Sequence, residues 1–220
     1  MITVCCLYVG NKIYDIKYVE NLSKGVKKNL TQEYQFVIFT DRKDQLAELQ
    51  DFGKVVLLPS FNFNKAWWNK LWLFSKESGL SGTILYLDLD VIILGSLDKF
   101  ITDKKFKIIH DFNRSNHPNW NKSNSSIMSW KHEDHTHLWG KFYVNVPNYT
   151  SRMHGDQDFI HLYEHDKEWY PDNWAISYRW EYLKGKLFDN KETSVLVLHG
   201  KPKPHELTDD KLLKIWNSDK

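Results

Sequence analysis

The first hundred residues alternate between two hydrophobic periods. Residues 2–9, ITVCCLYV, are an apolar, β-branched run that predicts a buried strand, and IKYVENLSKGVKKNL then spaces Ile16, Val19, Leu22 and Val26 at helical intervals. YQFVIFTD at 34–41 repeats the strand signal, LAEL predicts a short helix, and KVVLLP predicts a third strand ending near Pro59. NKAWWNKLWLFSKE predicts a helix with Trp67, Leu71 and Phe74 on one face, and TILYLDLDVIIL predicts the next strand. Strands that alternate with helices imply an α/β fold, with a mostly parallel sheet covered on both faces. Beyond residue 100, FKIIHDF and SSIMSW predict strands on either side of the loop NRSNHPNWNKSN. GDQDFIHLYEH predicts a helix opening on Gly155 and Asp156. SVLVLHG predicts a last strand, and DDKLLKIW predicts a closing helix. No repeat or linker divides the chain, so residues 1–220 are expected to form one domain.

Composition narrows the classes without choosing among them. Thirty basic and 28 acidic residues in mixed order give a formal charge of +2, which offers no footprint for nucleic acid. Aromatic residues reach 15 %, with ten Trp, and their flat faces suit a core or stacking on a base or sugar equally well. Cys5 and Cys6 are adjacent in a predicted strand and point to opposite faces, so they are read as reduced thiols of a cytoplasmic protein. The N-terminus lacks a basic leader and reads as a strand, and no run is long enough to span a bilayer.

The stretch TILYLDLDVIILGSLD sets two acids into an otherwise apolar run. On a strand Asp88 and Asp90 share a face, where two unpaired carboxylates repel each other and each loses several kcal/mol of hydration. A divalent cation removes both costs. Hard oxygen ligands favour Mg2+ or Mn2+, and ligands of open α/β sheets gather at the carboxyl ends of the strands.

A hydrophobic strand ending in Asp-x-Asp resembles the DxD motif of the GT-A-fold glycosyltransferases. The likeness is greatest to family 8, the glycogenin-like group with its small bacterial and phage relatives. The resemblance implies a GT-A-type Rossmann-like sheet and transfer of a sugar from a nucleotide sugar, UDP-linked in that family, to a carbohydrate or glycoconjugate acceptor, with retention of configuration. It also implies that Asp88 and Asp90 hold Mn2+ or Mg2+ against the donor diphosphate. VLHGKPKP resembles the family's His-Gly-Lys-Pro ending and makes His199 the third metal ligand, with Gly200 and Lys201 at the phosphates. The spacing is tighter here than in glycogenin, which leaves Lys201 and Lys203 as alternatives. GDQDFI resembles the segment that faces the reacting sugar: Asp156 and Asp158 would orient hydroxyls or accept a proton, and Gln157 would stand near the anomeric carbon. Lys70 in WWNKLWLF and Asn124 and Ser125 in NSSIMSW match positions beside the donor. Tyr8, the turn VGN, Thr40 and Asp41 match the edge where the base and ribose sit. Residues 113–126 are a candidate cover that excludes water.

Two other functions fit parts of the pattern. Haloacid-dehalogenase-like phosphohydrolases also use Asp-x-Asp, but on the leading strand, whereas here three predicted strands come first. A non-catalytic carbohydrate-binding protein would account for the aromatics but not for the acids. His132, His135 and His137 in HEDHTH have a spacing that could bind zinc; with no Cys nearby and an exposed helix beginning there, the segment is read as a solvated face.

Overall fold

A computed structural model describes residues 1–10, 13–102, 105–185 and 192–217. Its strands and helices follow in chain order as β1 (Ile2–Tyr8), α1 (Ile16–Asn29), β2 (Tyr34–Thr40), α2 (Leu46–Gln50), β3 (Lys54–Leu57), β4 (Thr83–Leu87), β5 (Val91–Ile93), β6 (Lys107–His110) and β7 (Ser123–Lys131). They continue as α3 (His137–Val144), α4 (Val146–Arg152), α5 (Asp156–Tyr163), β8 (Glu168–Trp169), β9 (Ala175–Ser177), β10 (Val195–Val197) and α6 (Asp210–Trp216). A seven-stranded sheet has the order β3-β2-β1-β4-β7-β6-β8, and β5, β10 and β9 form a second, three-stranded sheet. The pairs β1–β2, β1–β4, β2–β3 and β6–β8 are parallel, while β7 runs antiparallel to both of its neighbours. The expected α/β class with a mostly parallel sheet is the observed one.

The period of two along each strand builds two cores. Val4, Cys6 and Tyr8 of β1, Phe36 and Ile38 of β2 and Leu85 and Leu87 of β4 pack on one face with α1, α6 and the small sheet. Cys5, Leu7, Val37, Phe39, Ile84 and Tyr86 point the other way, against Trp68, Leu71, Phe142 and Phe159. α1 is the best-formed helix: Asp15 caps it by accepting from Lys17 N–H, and it buries Val19, Leu22 and Val26.

Two expected elements take a different form. Residues 66–74 wind as a 3-10 helix rather than an α-helix. With three residues per turn, the buried row becomes Trp68, Leu71 and Phe74, and Trp67 is 44 % exposed. The run from Thr83 to Leu94 is two strands, not one. Asp88 N–H still donates to Ser126 O (2.9 Å) in the large sheet, and Asp90 O already accepts from Leu198 N–H (3.0 Å) beside the small one. The step Asp88-Leu89-Asp90 is therefore the crossing point between sheets, so the acids sit at strand ends and not within a buried strand.

Cys5 and Cys6 are free and fully buried. Burial raises both thiols well above their ordinary value, with the Cys6 charge adding for Cys5 and Asp88 adding for Cys6. The native protein is expected to leave a thiol reagent such as DTNB unreacted over minutes at pH 8, with both thiols titrating in denaturant. A fast native reaction would show that strand β1 opens.

Candidate active site

The carboxyl ends of β1 and β4, the start of β7, the N-terminus of α5 and the loop after β10 enclose a cavity of 640 Å3. Asp88, Asp90, Lys70, Asn124, Ser125, Asp156, Gln157, His199 and Gly200 all line it. Gly10 and Gly200, at its two sides, have φ of +73° and +77°, which a side chain would disfavour.

Its centre is Lys70, whose residue is 5 % exposed. The ammonium lies 3.0 Å from Asp88 Oδ1 and 3.3 Å from Asp156 Oδ2. It also donates to Ser125 Oγ (3.0 Å) and Ser125 O (3.2 Å), and Ser125 Oγ donates in turn to Asp156 Oδ2 at 2.6 Å. A bulge makes the backbone contact available. β6 pairs Ile108 with Met128 but Ile109 with Asn124, so the intervening β7 residues have no β6 partner. Burial pulls the Lys70 pKa down, but Asp156 and Asp88 outweigh it and hold the ammonium above its ordinary value. Burial raises the Asp156 carboxyl, against the opposing effects of Lys70 and the Ser125 hydroxyl. Tyr86 donates to Asp88 Oδ1 (2.6 Å), and burial and the Asp88 charge keep its phenol protonated.

Asp90 belongs to a second cluster. Its Oδ2 accepts from Tyr14 Oη (3.0 Å) and from Lys203 Nζ (2.5 Å). Burial, then Asp90 and Asp88, push the Tyr14 phenol far up, so it stays a donor. His199 stacks on Phe112 at 5.2 Å and shares a 2.7 Å hydrogen bond between Nε2 and Ser177 Oγ. Burial lowers its pKa against the pull of Asp90 and Asp111, which favours neutral imidazole. Two carboxylates and an imidazole are a donor set that Mn2+ or Mg2+ accepts, and the Lys203 ammonium already meets part of the demand for positive charge there.

Several expected site residues are placed elsewhere. Lys203, and not Lys201, reaches the cavity: the Lys201 side chain is 85 % exposed and turns to Glu206. Asp158 faces away, accepting from His154 N–H at 3.2 Å, because it lies on the side of α5 opposite Asp156. Tyr8 is fully buried beneath the Arg42 guanidinium (3.9 Å to the ring), so its ring offers no face to a base. Thr40 is also fully buried and donates to Tyr8 O. Asp41 accepts from Gly10 N–H (3.2 and 3.1 Å) and so fixes the cavity's glycine turn from behind; Asn11 of that turn lies outside the described residues. Tyr14, Tyr86 and Trp67 line the cavity and had not been expected there. Alternation alone would have found Tyr86, since it precedes Asp88 by two residues.

No protein-family model matches the chain, and no curated protein matches it. Its fold is that of solved glycosyltransferases. The galactosyltransferase LgtC in complex with donor and acceptor sugar analogues has a TM-score of 0.69 at 14 % identity, over 98 % of this chain and 95 % of that one. An active-site glutamine-to-glutamate variant of LgtC has a TM-score of 0.67 at 14 % identity, over 97 % and 93 %. The glycosyltransferase GlyE of Streptococcus pneumoniae TIGR4 has a TM-score of 0.69 at 12 % identity; the match covers 98 % of this chain but 59 % of GlyE. No helix among the described residues is long and apolar enough to cross a membrane.

Removing the ammonium from a buried ion cluster leaves uncompensated charge, which costs about 3–5 kcal/mol. Lys70→Met is therefore expected to lower the melting temperature by roughly 10 °C, and adding Asp156→Asn should restore part of the loss. A Lys70→Met melting temperature within ~2 °C of the parent would mean that the two carboxylates need no ammonium.

Proposed function

We propose that the protein is a metal-dependent glycosyltransferase that moves a sugar from a UDP-sugar to the hydroxyl of a carbohydrate or glycoconjugate, with retention of configuration. The carrying observation is the cavity in which Asp88, Asp90, His199, Lys203, Asp156 and Gln157 converge on a fold shared with LgtC and GlyE.

Formal charge supports the need for a cation. The cavity is lined by Asp88, Asp90 and Asp156 and by Lys65, Lys70 and Lys203, so its charges cancel. The diphosphate of a nucleotide sugar would add two negative charges, and one divalent ion restores the balance. Asp88, Asp90 and His199 are the residues that would hold it, and when bound it would stabilise the charge that grows on the departing UDP.

The chain's own groups supply the rest. Lys203 is a compact ammonium suited to a phosphate oxygen. Asp156, held by Lys70 and Ser125, presents a fixed carboxylate to sugar hydroxyls, and each such bond also resists rotation of the donor. Gln157 donates from Nε2 to Asp111 Oδ2 at 3.5 Å, a weak tie that leaves its amide free to face the reacting carbon. LgtC has an active-site glutamine too, the residue changed to glutamate in its variant. Lys70, which also lines the cavity, neutralises part of the charge of Asp88 and Asp156 and fixes both in place.

The phosphohydrolase reading has less support, since Asp88 follows the fourth strand of the chain, in the middle of the sheet. The carbohydrate-binding reading leaves the buried ion cluster unexplained.

The test is UDP release from a panel of UDP-sugars with Mn2+, with and without acceptor sugars. Turnover is expected with Mn2+ and not in EDTA. Asp90→Ala is expected to lower it about 100-fold or more with the fold intact. Release of inorganic phosphate instead of UDP would favour the phosphohydrolase, and donor binding without any turnover would favour the non-catalytic protein.

A further inference from the structure

The histidine segment after β7 meets an acid that the sequence did not place beside it. His135 and His137 are joined in space by Glu164, the residue that ends α5, and the three ligand atoms lie within 4.8 Å of one another. Glu164 Oε2 is 2.8 Å from His135 Nδ1 and 3.5 Å from His137 Nε2. Tetrahedral zinc with bonds of about 2.0–2.1 Å needs neighbouring ligand atoms roughly 3.4 Å apart, and the two separations from Glu164 Oε2 bracket that spacing.

The surroundings are those of a built site. Glu164 is 2 % exposed and His135 7 % exposed, so neither side chain can swing away into water. The other carboxylate oxygen, Glu164 Oε1, accepts from Asp166 N–H at 3.1 Å, which fixes the carboxylate plane. The His135 ring packs edge-on against Phe106, with centroids 5.2 Å apart. His137, at the first turn of α3, is half exposed and opens the site to solvent, which leaves a coordination position for water and a path for the ion.

We propose that His135, His137 and Glu164 form a three-ligand zinc site that braces the fold, separate from the sugar-nucleotide cavity. Two imidazoles and one carboxylate suit zinc better than Mg2+ or Ca2+, which favour oxygen. The ion would replace the His135–Glu164 hydrogen bond, with the remaining ring proton of His135 on Nε2. Asp156 begins α5 in the cavity and Glu164 ends it here, so the site anchors the far end of the helix that carries Asp156 and Gln157. The ends are about 12 Å apart, so zinc here acts on stability and not on the reacting atoms.

The test compares the protein with His137→Ala, a change at an exposed position that the fold should tolerate. Both proteins are stripped with EDTA, loaded with excess ZnCl2, desalted, and assayed for bound zinc by mass spectrometry and for zinc affinity by calorimetry. The parent is expected to retain one zinc more per chain than His137→Ala, and zinc should raise its melting temperature by ~5 °C more than that of the variant. Taking the difference removes any zinc bound in the sugar-nucleotide cavity. Equal zinc content and equal affinity in the two proteins would overturn the proposal and leave a plain hydrogen-bonded His–Glu pair. Glu164→Gln keeps the shape and a weaker hydrogen bond; zinc retention there at parental affinity would overturn it equally.

Discussion

A buried ammonium must be matched by negative charge, and four segments of this chain are placed by that requirement. Lys70 sits on the 3-10 helix, Asp88 at the end of β4, Ser125 in the bulged part of β7, and Asp156 at the first turn of α5. Any of these segments drifting by an ångström or two would leave a charge uncompensated in a region with few water partners, at a cost of several kcal/mol. The cluster therefore acts as a register mark: it sets α5 against the sheet and holds two carboxylates of the cavity in defined positions before any substrate arrives. A 3-10 winding at 66–74 fits this role. Its period of three sends Trp68, Leu71 and Phe74 into the core and keeps Lys70 on the row that faces the cavity.

Much of this was legible in the sequence. Alternating periods gave the strands, the α1 stripe and the α/β class, because those features depend on burial alone. The Asp-x-Asp step and the His-Gly turn were also visible, since polar groups in apolar runs are costly and need a reason. What local pattern could not supply was orientation. Asp156 and Asp158 look equivalent at a helix start, yet a separation of two residues on a helix is about 200° of rotation, so only one of them can face the cavity. Lys201 and Lys203 are likewise two apart, and the backbone turn after Gly200 decides which one enters. Glu164 was invisible as a partner for His135 because the two lie 29 residues apart and meet only through the packing of α5 on β7.

The break between β4 and β5 explains why the acids are tolerated. In one continuous strand they would have faced an apolar core. As a step between two sheets they meet hydroxyls and ammonium groups instead: Tyr86 and Lys70 on Asp88, Tyr14 and Lys203 on Asp90. Both phenols are kept protonated by burial and by the neighbouring carboxylates, so they remain donors across the physiological range. The tyrosines therefore fix the direction of each carboxylate while adding no charge of their own.

Lys203 is the point at which this balance can change. Asp90 Oδ2 already receives two donors, and a carboxylate oxygen that accepts both Lys203 and Tyr14 has little capacity left for a cation. Lys203 must therefore leave Asp90 before that oxygen can bind one. Its side chain is long, and the cavity it lines is the one a diphosphate would enter, so the released ammonium has a new anionic partner within reach. In this account a single lysine serves both states. On the proposed function it would neutralise Asp90 when the cavity is empty and turn to phosphate when the cavity is filled, so no carboxylate would be left unpaired at either stage.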